Sequence, residues 1–217
     1  MTVTWSRGKR YRAIEFALVF LVLPVALYVF GSTLKRWIIP MLLGVGGICL
    51  YVLRQDAGFD RTQLWSLPPR RNTCVKRILA LFLTGGALVM IFTCMNPAVE
   101  PFGLPRRQPL LWALVVLFYP LVSALPQELI FRSFMFHRYR ELFTPPRLVM
   151  VSATCFALVH FILGNGIAPV MSLLGGLLFA YTYSRTRSLP LVVLEHGLWG
   201  DWIFTLGLGR YFYGGHF

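Results

Sequence analysis

Apolar residues run along this chain in stretches too long for a soluble core, and the polar residues gather between them. About 20 apolar residues span a bilayer as a helix. On that spacing the pattern predicts spans near 13–31, 37–53, 77–95, 109–125, 147–163, 167–184 and 188–208. Segment 127–143 is apolar but studded with His137, Arg138, Arg140 and Glu141, and Pro126 precedes it. It reads as the inner half of a long broken helix or as an eighth membrane element. The expected fold is an all-α polytopic membrane helix bundle of about 7–8 transmembrane helices. The apolar run from Ala13 to Phe30 is too long for a cleavable signal and lacks a small-residue cleavage site after it, so it reads as a retained first helix. The polar stretch 54–77 is expected along the cytoplasmic surface, and the tail "RYFYGGHF" as an interfacial aromatic belt.

Composition agrees with the pattern. The chain is 57% hydrophobic and 13% charged with a mean hydropathy of +0.65, where soluble domains carry roughly 25% charged residues. Net charge is +13, from 21 basic and eight acidic residues. In a soluble protein that balance would suggest nucleic acid. Here the basic residues lie between apolar runs, which points to topology and to anionic lipid headgroups as partners, and not to nucleic acid. With the N-terminus in the cytoplasm, fifteen of the 21 Lys and Arg fall on the inside, among them Arg7, Arg10, Arg70, Arg71 and Arg138. Only Lys35, Arg36, Arg106, Arg107 and Arg210 fall outside, and Arg132 lies within the hydrophobic zone. Cys49, Cys74, Cys94 and Cys155 show no paired ligand spacing and are expected as free thiols.

Ionisable side chains in a bilayer cost several kcal/mol and mark function by default. The predicted spans hold Glu15, Glu128, Arg132, His160, Glu195, His196 and Asp201. Glu15 lies near the start of its helix and reaches the interface. Glu128 and Arg132 are four apart and share a helix face. His137 is nine positions from Glu128, half a turn out of phase, and faces elsewhere. With Thr144-Pro145-Pro146 as the turn of a helical hairpin, Glu128 and His160 each lie sixteen residues from Thr144, at matched depth roughly 20–24 Å from the turn. His196, nine residues from Arg187, lies about 13 Å inside the same face. A carboxylate and two imidazoles are therefore expected to meet in one cavity.

A glutamate with two histidines suits water activated directly by those side chains, or water on a metal that they ligate, and the sequence does not separate the two. No HExxH or other compact zinc motif occurs, so a divalent metal would need ligands from separate helices, and no cofactor is demanded. Each residue alone has a plainer reading: a lone membrane histidine is more often a helix-helix hydrogen bond, Glu128 with Arg132 a structural ion pair, Glu195 and Asp201 packing or a cap. Their conjunction points to chemistry. A small transporter with a proton-relay carboxylate fits the same residues but lacks internal repeats.

Three motifs stand in order on successive membrane elements: "QELIFR" at Gln127 to Arg132, "FALVH" at Phe156 to His160 and "HGLWGD" at His196 to Asp201. They resemble the EExxxR, FxxxH and HxxxN motifs of the intramembrane CAAX prenyl protease and bacteriocin-processing or immunity (CPBP or Abi) family. The resemblance implies an endopeptidase acting on a peptide or membrane-protein substrate, in which glutamate and histidine activate water while the second histidine and the asparagine stabilise the oxyanion. It casts Glu128, His160 and His196 as catalytic, Arg132 as orienting the carboxylate, and Gln127 and Asp201 as assisting. Gln127 replaces the first motif glutamate, leaving Glu128 as base, a non-hydrolytic binding or immunity protein, or an introduced substitution as alternatives. Gly200 replaces the asparagine, and Asp201 comes back into register only through a local bulge. The chain divides into 1–107, the N-terminal helices and a cytoplasmic loop, and 108–217, the core carrying the site, within one membrane domain. Compact size and family type point to a bacterial inner membrane.

Overall fold

In hydrocarbon every backbone polar group needs an internal partner, so each long apolar run folds as a helix. The computed structural model describes residues 8–31 and 35–213, and among these no strand occurs. The long helices are α1 (Lys9–Val29), α2 (Ile38–Gln55), α3 (Arg71–Met95), α4 (Pro109–Arg138), α5 (Pro145–Leu163), α6 (Ile167–Thr186) and α7 (Leu189–Thr205). The first six are long and apolar enough to cross a membrane. With 17 residues, α7 is about 25 Å long. Segment 127–143 is no separate element: α4 continues for 30 residues, from Pro109 through Pro126 to Arg138.

Two prolines fall inside α4 without ending it. Proline removes a backbone donor and crowds the carbonyl four residues back. Here α4 widens into π-helical turns at Pro120–Ala124 and Leu129–Phe134, bracketing Pro126. Such bulges are frequent at functional sites. Prolines also start helices, at Pro109, Pro145 and Pro190, where the missing N–H has no partner to lose. The Ser188 hydroxyl caps α7 by accepting from the Leu191 N–H, and Gly164 ends α5 with a φ of 74°.

Close helix approach depends on two glycines. A Cβ at Gly176 of α6 would lie 3.1 Å from Ala153 Cα in α5, and one at Gly46 of α2 would lie 3.0 Å from Pro126 Cβ in α4. Such small residues let membrane helices pack backbone to backbone. The core gathers Phe20, Leu53, Met135, Phe136, Phe156 and Tyr183. On α7, Trp202 donates to the Gly86 carbonyl of α3 at 3.0 Å, and Thr205 accepts from Trp112 of α4 at 2.9 Å. The loop before α3 is tied to the α6–α7 corner, where Tyr183 donates to Gln63 and Ser188 donates to the Ser66 carbonyl. All four cysteines are free. Residues 214–217 of the expected aromatic belt lie outside the described residues.

Candidate active site

Glu128, just before the second π turn of α4, and Arg132, within it, carry a carboxylate and a guanidinium into the protein interior. Glu128 and Arg132 side chains are both 0% exposed, and Arg132 Nε lies 3.0 Å from Glu128 Oε2. The contact is an ion pair without a directed hydrogen bond. The widened turn between the two residues alters the usual spacing of a helical i,i+4 pair. The guanidinium spreads its other donors over the neighbouring helices, to Ser152 Oγ of α5 at 3.3 Å and the Gly176 carbonyl of α6 at 3.4 Å. Its plane lies over the Phe156 ring, 4.8 Å from the centroid. Buried charges need such partners because desolvation otherwise exceeds their attraction.

The other Glu128 oxygen faces α7, where His196 Nδ1 lies 2.8 Å from Oε1. Beside Arg132 the carboxylate accepts, so Nδ1–H donates and Nε2 of the neutral ring is left as acceptor. Tyr119 of α4 fills that place, its hydroxyl 3.0 Å from Nε2. Phe179 stacks on the His196 ring at 4.5 Å between centroids, fixing its plane. The result is one chain of contacts, Tyr119 to His196 to Glu128 to Arg132, built from α4 and α7.

His160 stands where α5 tightens into a 3₁₀ turn. Its Nδ1 lies 2.6 Å from the Phe156 carbonyl. A carbonyl only accepts, so Nδ1 carries the hydrogen and Nε2 of the neutral ring holds a lone pair. No described residue hydrogen-bonds that Nε2. Phe156 separates the two imidazoles, with centroids 4.7 Å from His160 and 5.7 Å from His196.

Both imidazoles line a cavity of about 1320 Å³ walled mostly by apolar side chains of α1 to α7. Its polar lining includes Tyr119, Ser123, Gln127, His160 and His196. The Gln127 amide donates to Ser123 Oγ at 2.8 Å. Glu128 is not part of the lining, which corrects the expectation of a carboxylate open to the cavity: the His196 ring takes one carboxylate oxygen and Arg132 lies against the other. Asp201 does not reach the cavity either. Because α7 stays regular, Gly200 lines the wall instead, while Asp201 Oδ1 is buried without a hydrogen-bond partner among the described residues. Glu195 is likewise buried at 1% exposure and stands off the cavity wall. His137 lies apart from these groups, paired with Asp56 at 2.8 Å. Among the described residues no three His, Cys, Asp or Glu side chains gather as a metal-holding group.

Tyr119 is the participant that sequence spacing misses. Nine residues separate it from Glu128, which on a regular α-helix puts them on opposite faces. The π turn at Pro120–Ala124 lies between them and shifts the phase, so both reach His196.

Compared with known families, residues 109–200 match the model for type II CAAX prenyl endopeptidase Rce1-like proteins. No curated protein and no solved structure matches the chain. The matched stretch opens with α4 and closes at Gly200, and it contains Tyr119, Glu128, Arg132, His160 and His196. Over that stretch the chain is similar to CAAX protease-like membrane proteins.

Proposed function

On the premise that residues 109–200 carry the Rce1-like signature, we propose that this membrane protein hydrolyses a peptide bond presented from the lipid phase. The observation that supports it best is the unpartnered His160 Nε2 beside a large apolar cavity. A peptide segment seated there would bring its carbonyl beside His160 on a wall that also carries Gln127 and Tyr119. Nε2 takes a proton from water as the water oxygen bonds to the carbonyl carbon. When the C–N bond breaks, the imidazolium returns that proton to the leaving nitrogen, giving a carboxylic acid and an amine. Glu128 does not meet this water. It holds His196 in one tautomer and orientation, with Arg132 compensating its charge. Its compact size and family resemblance favour a bacterial inner membrane, and the fifteen-to-five bias in Lys and Arg favours an N-terminus in the cytoplasm.

The test is purified protein in nanodiscs with membrane peptides. His160→Ala is expected to lower cleavage about 10²–10⁴-fold, and Gln127→Glu to raise it by placing a second proton acceptor on the wall. Cleavage that survives His160→Ala removes the reading. A second reading, a non-hydrolytic binding or immunity protein, is favoured by one observation: the cavity wall carries the Gln127 amide, which accepts no proton. It predicts peptide capture without product and no gain from Gln127→Glu.

A further inference from the structure

Position 200 holds a notch in α7 that another helix has filled. A Cβ placed on Gly200 would fall on the Tyr119 ring, so only glycine lets that ring lie against α7. The ring packs edge-on to Phe204 at 5.5 Å and to His196 at 5.9 Å between centroids, which leaves its hydroxyl at His196 Nε2. Consider then which hydrogens His196, His160 and Tyr119 can offer. The Nδ1–H of His196 is engaged by Glu128, and the Nδ1–H of His160 by the Phe156 carbonyl. In the tautomer that donates through Nδ1 alone, the His196 ring presents no N–H to the cavity. The Tyr119 hydroxyl does have a hydrogen, held by a neighbouring acceptor on the same wall.

We propose that Tyr119, admitted by Gly200, is a catalytic residue: its O–H donates to His196 Nε2 at rest and turns to the substrate carbonyl oxygen as negative charge develops there. No proton is transferred. The hydroxyl hydrogen bond moves from nitrogen to oxyanion and returns when the C–N bond breaks. Donors fixed in advance at such a position are worth most where water is excluded. The turn toward substrate rests on the hydrolytic reading; the Tyr119–Gly200–His196 unit does not.

Two measurements on the full chain in nanodiscs test it. The first is ¹⁵N NMR of histidine-labelled protein, with His196 assigned through His196→Gln. Tyr119→Phe is expected to shift the His196 Nε2 resonance and leave His160 in place, and Gly200→Ala, which displaces the ring, to shift Nε2 the same way. The second is cleavage kinetics: Tyr119→Phe lowers kcat about 10²–10³-fold with KM within about twofold, and adding Gly200→Ala lowers it little further because the pair acts as one unit. An unmoved Nε2 resonance in Tyr119→Phe, or an unchanged kcat, overturns the proposal. If the wild-type protein cleaves no peptide, the hydrolytic reading has failed and the donor role falls with it, while the resonances still decide whether the unit exists.

Discussion

Two clusters made of the same kinds of side chain are attached to α4. The inner one joins Tyr119, His196, Glu128 and Arg132. The outer one, at the end of α4, joins Tyr139, His137, Arg138 and Arg140 with Glu15 and Asp56. In the outer cluster Arg138 grips both Glu15 oxygens, through Nε at 2.9 Å and Nη2 at 2.8 Å, and Tyr139 donates a third hydrogen bond at 3.0 Å. His137 donates to Asp56 and accepts from Arg140. Its carboxylates keep some solvent, with Glu15 at 18% and Asp56 at 22% exposure. The inner carboxylate keeps none and is divided between an arginine and a histidine. Only the inner cluster borders the cavity. Residue types alone therefore do not separate a structural cluster from a candidate site. Fork geometry and partial exposure mark the outer one as a clamp between α1 and α4, while sealed charge beside a void marks the inner one.

The sharpest way to break this comparison is to remove the carboxylate from each cluster. Glu128→Ala leaves the buried Arg132 charge uncompensated and is expected to destabilise the protein by about 3–5 kcal/mol. The matching Glu15→Ala, where Arg138 retains some contact with solvent, is expected to cost only about 1–2 kcal/mol. Thermal unfolding in detergent reads both, and equal losses would erase the distinction. A smaller effect comes from Gly176→Ala, which inserts a methyl between α5 and α6 where the Gly176 carbonyl accepts from Arg132. A cost of about 1–3 kcal/mol is expected from overpacking, with Gly44→Ala, which meets nothing within 4 Å, as the neutral control.

The smallest effect is a response to acid confined to the outer cluster. Burial pushes the Asp56 carboxyl up, but hydrogen bonds from His137 and the Gly58 N–H outweigh it and hold Asp56 below its ordinary 3.8. A depressed carboxylate adds stability above its unfolded pKa and loses it as pH falls through the folded value. The loss is expected to stay under about 1 kcal/mol for so exposed a pair, and to vanish in Asp56→Asn when unfolding is followed from neutral pH to about pH 3.

Much of this architecture is legible in the sequence. Hydropathy places the helices because length and apolarity are local properties, and the i,i+4 spacing pairs Glu128 with Arg132. Depth counted from Thr144 for His160 and from Arg187 for His196 puts the histidines beside one cavity. Phase is less legible. Half-turn spacing excludes His137 from the site, and His137 does lie in the outer cluster. The same spacing would exclude Tyr119, which the structure instead brings onto His196. The difference is the π turn at Pro120–Ala124, whose extra residue per turn no hydropathy pattern encodes. Sequence order likewise leaves open whether Glu128 faces the cavity or the back of His196, because that depends on the rotation of α4 against α7. Gly200 looks like a gap in the third motif until the Tyr119 ring is seen to occupy it.

The cavity wall has one further consequence. Carbon-lined space stays dry, and a water molecule settles only where two or more polar atoms can hold it. In this chamber such atoms come from a few side chains, among them Tyr119 with His196, 3.0 Å apart, and Gln127 with Ser123, 2.8 Å apart. Moisture entering from either face would gather as a few molecules beside those pairs, with the remaining volume left to hydrocarbon.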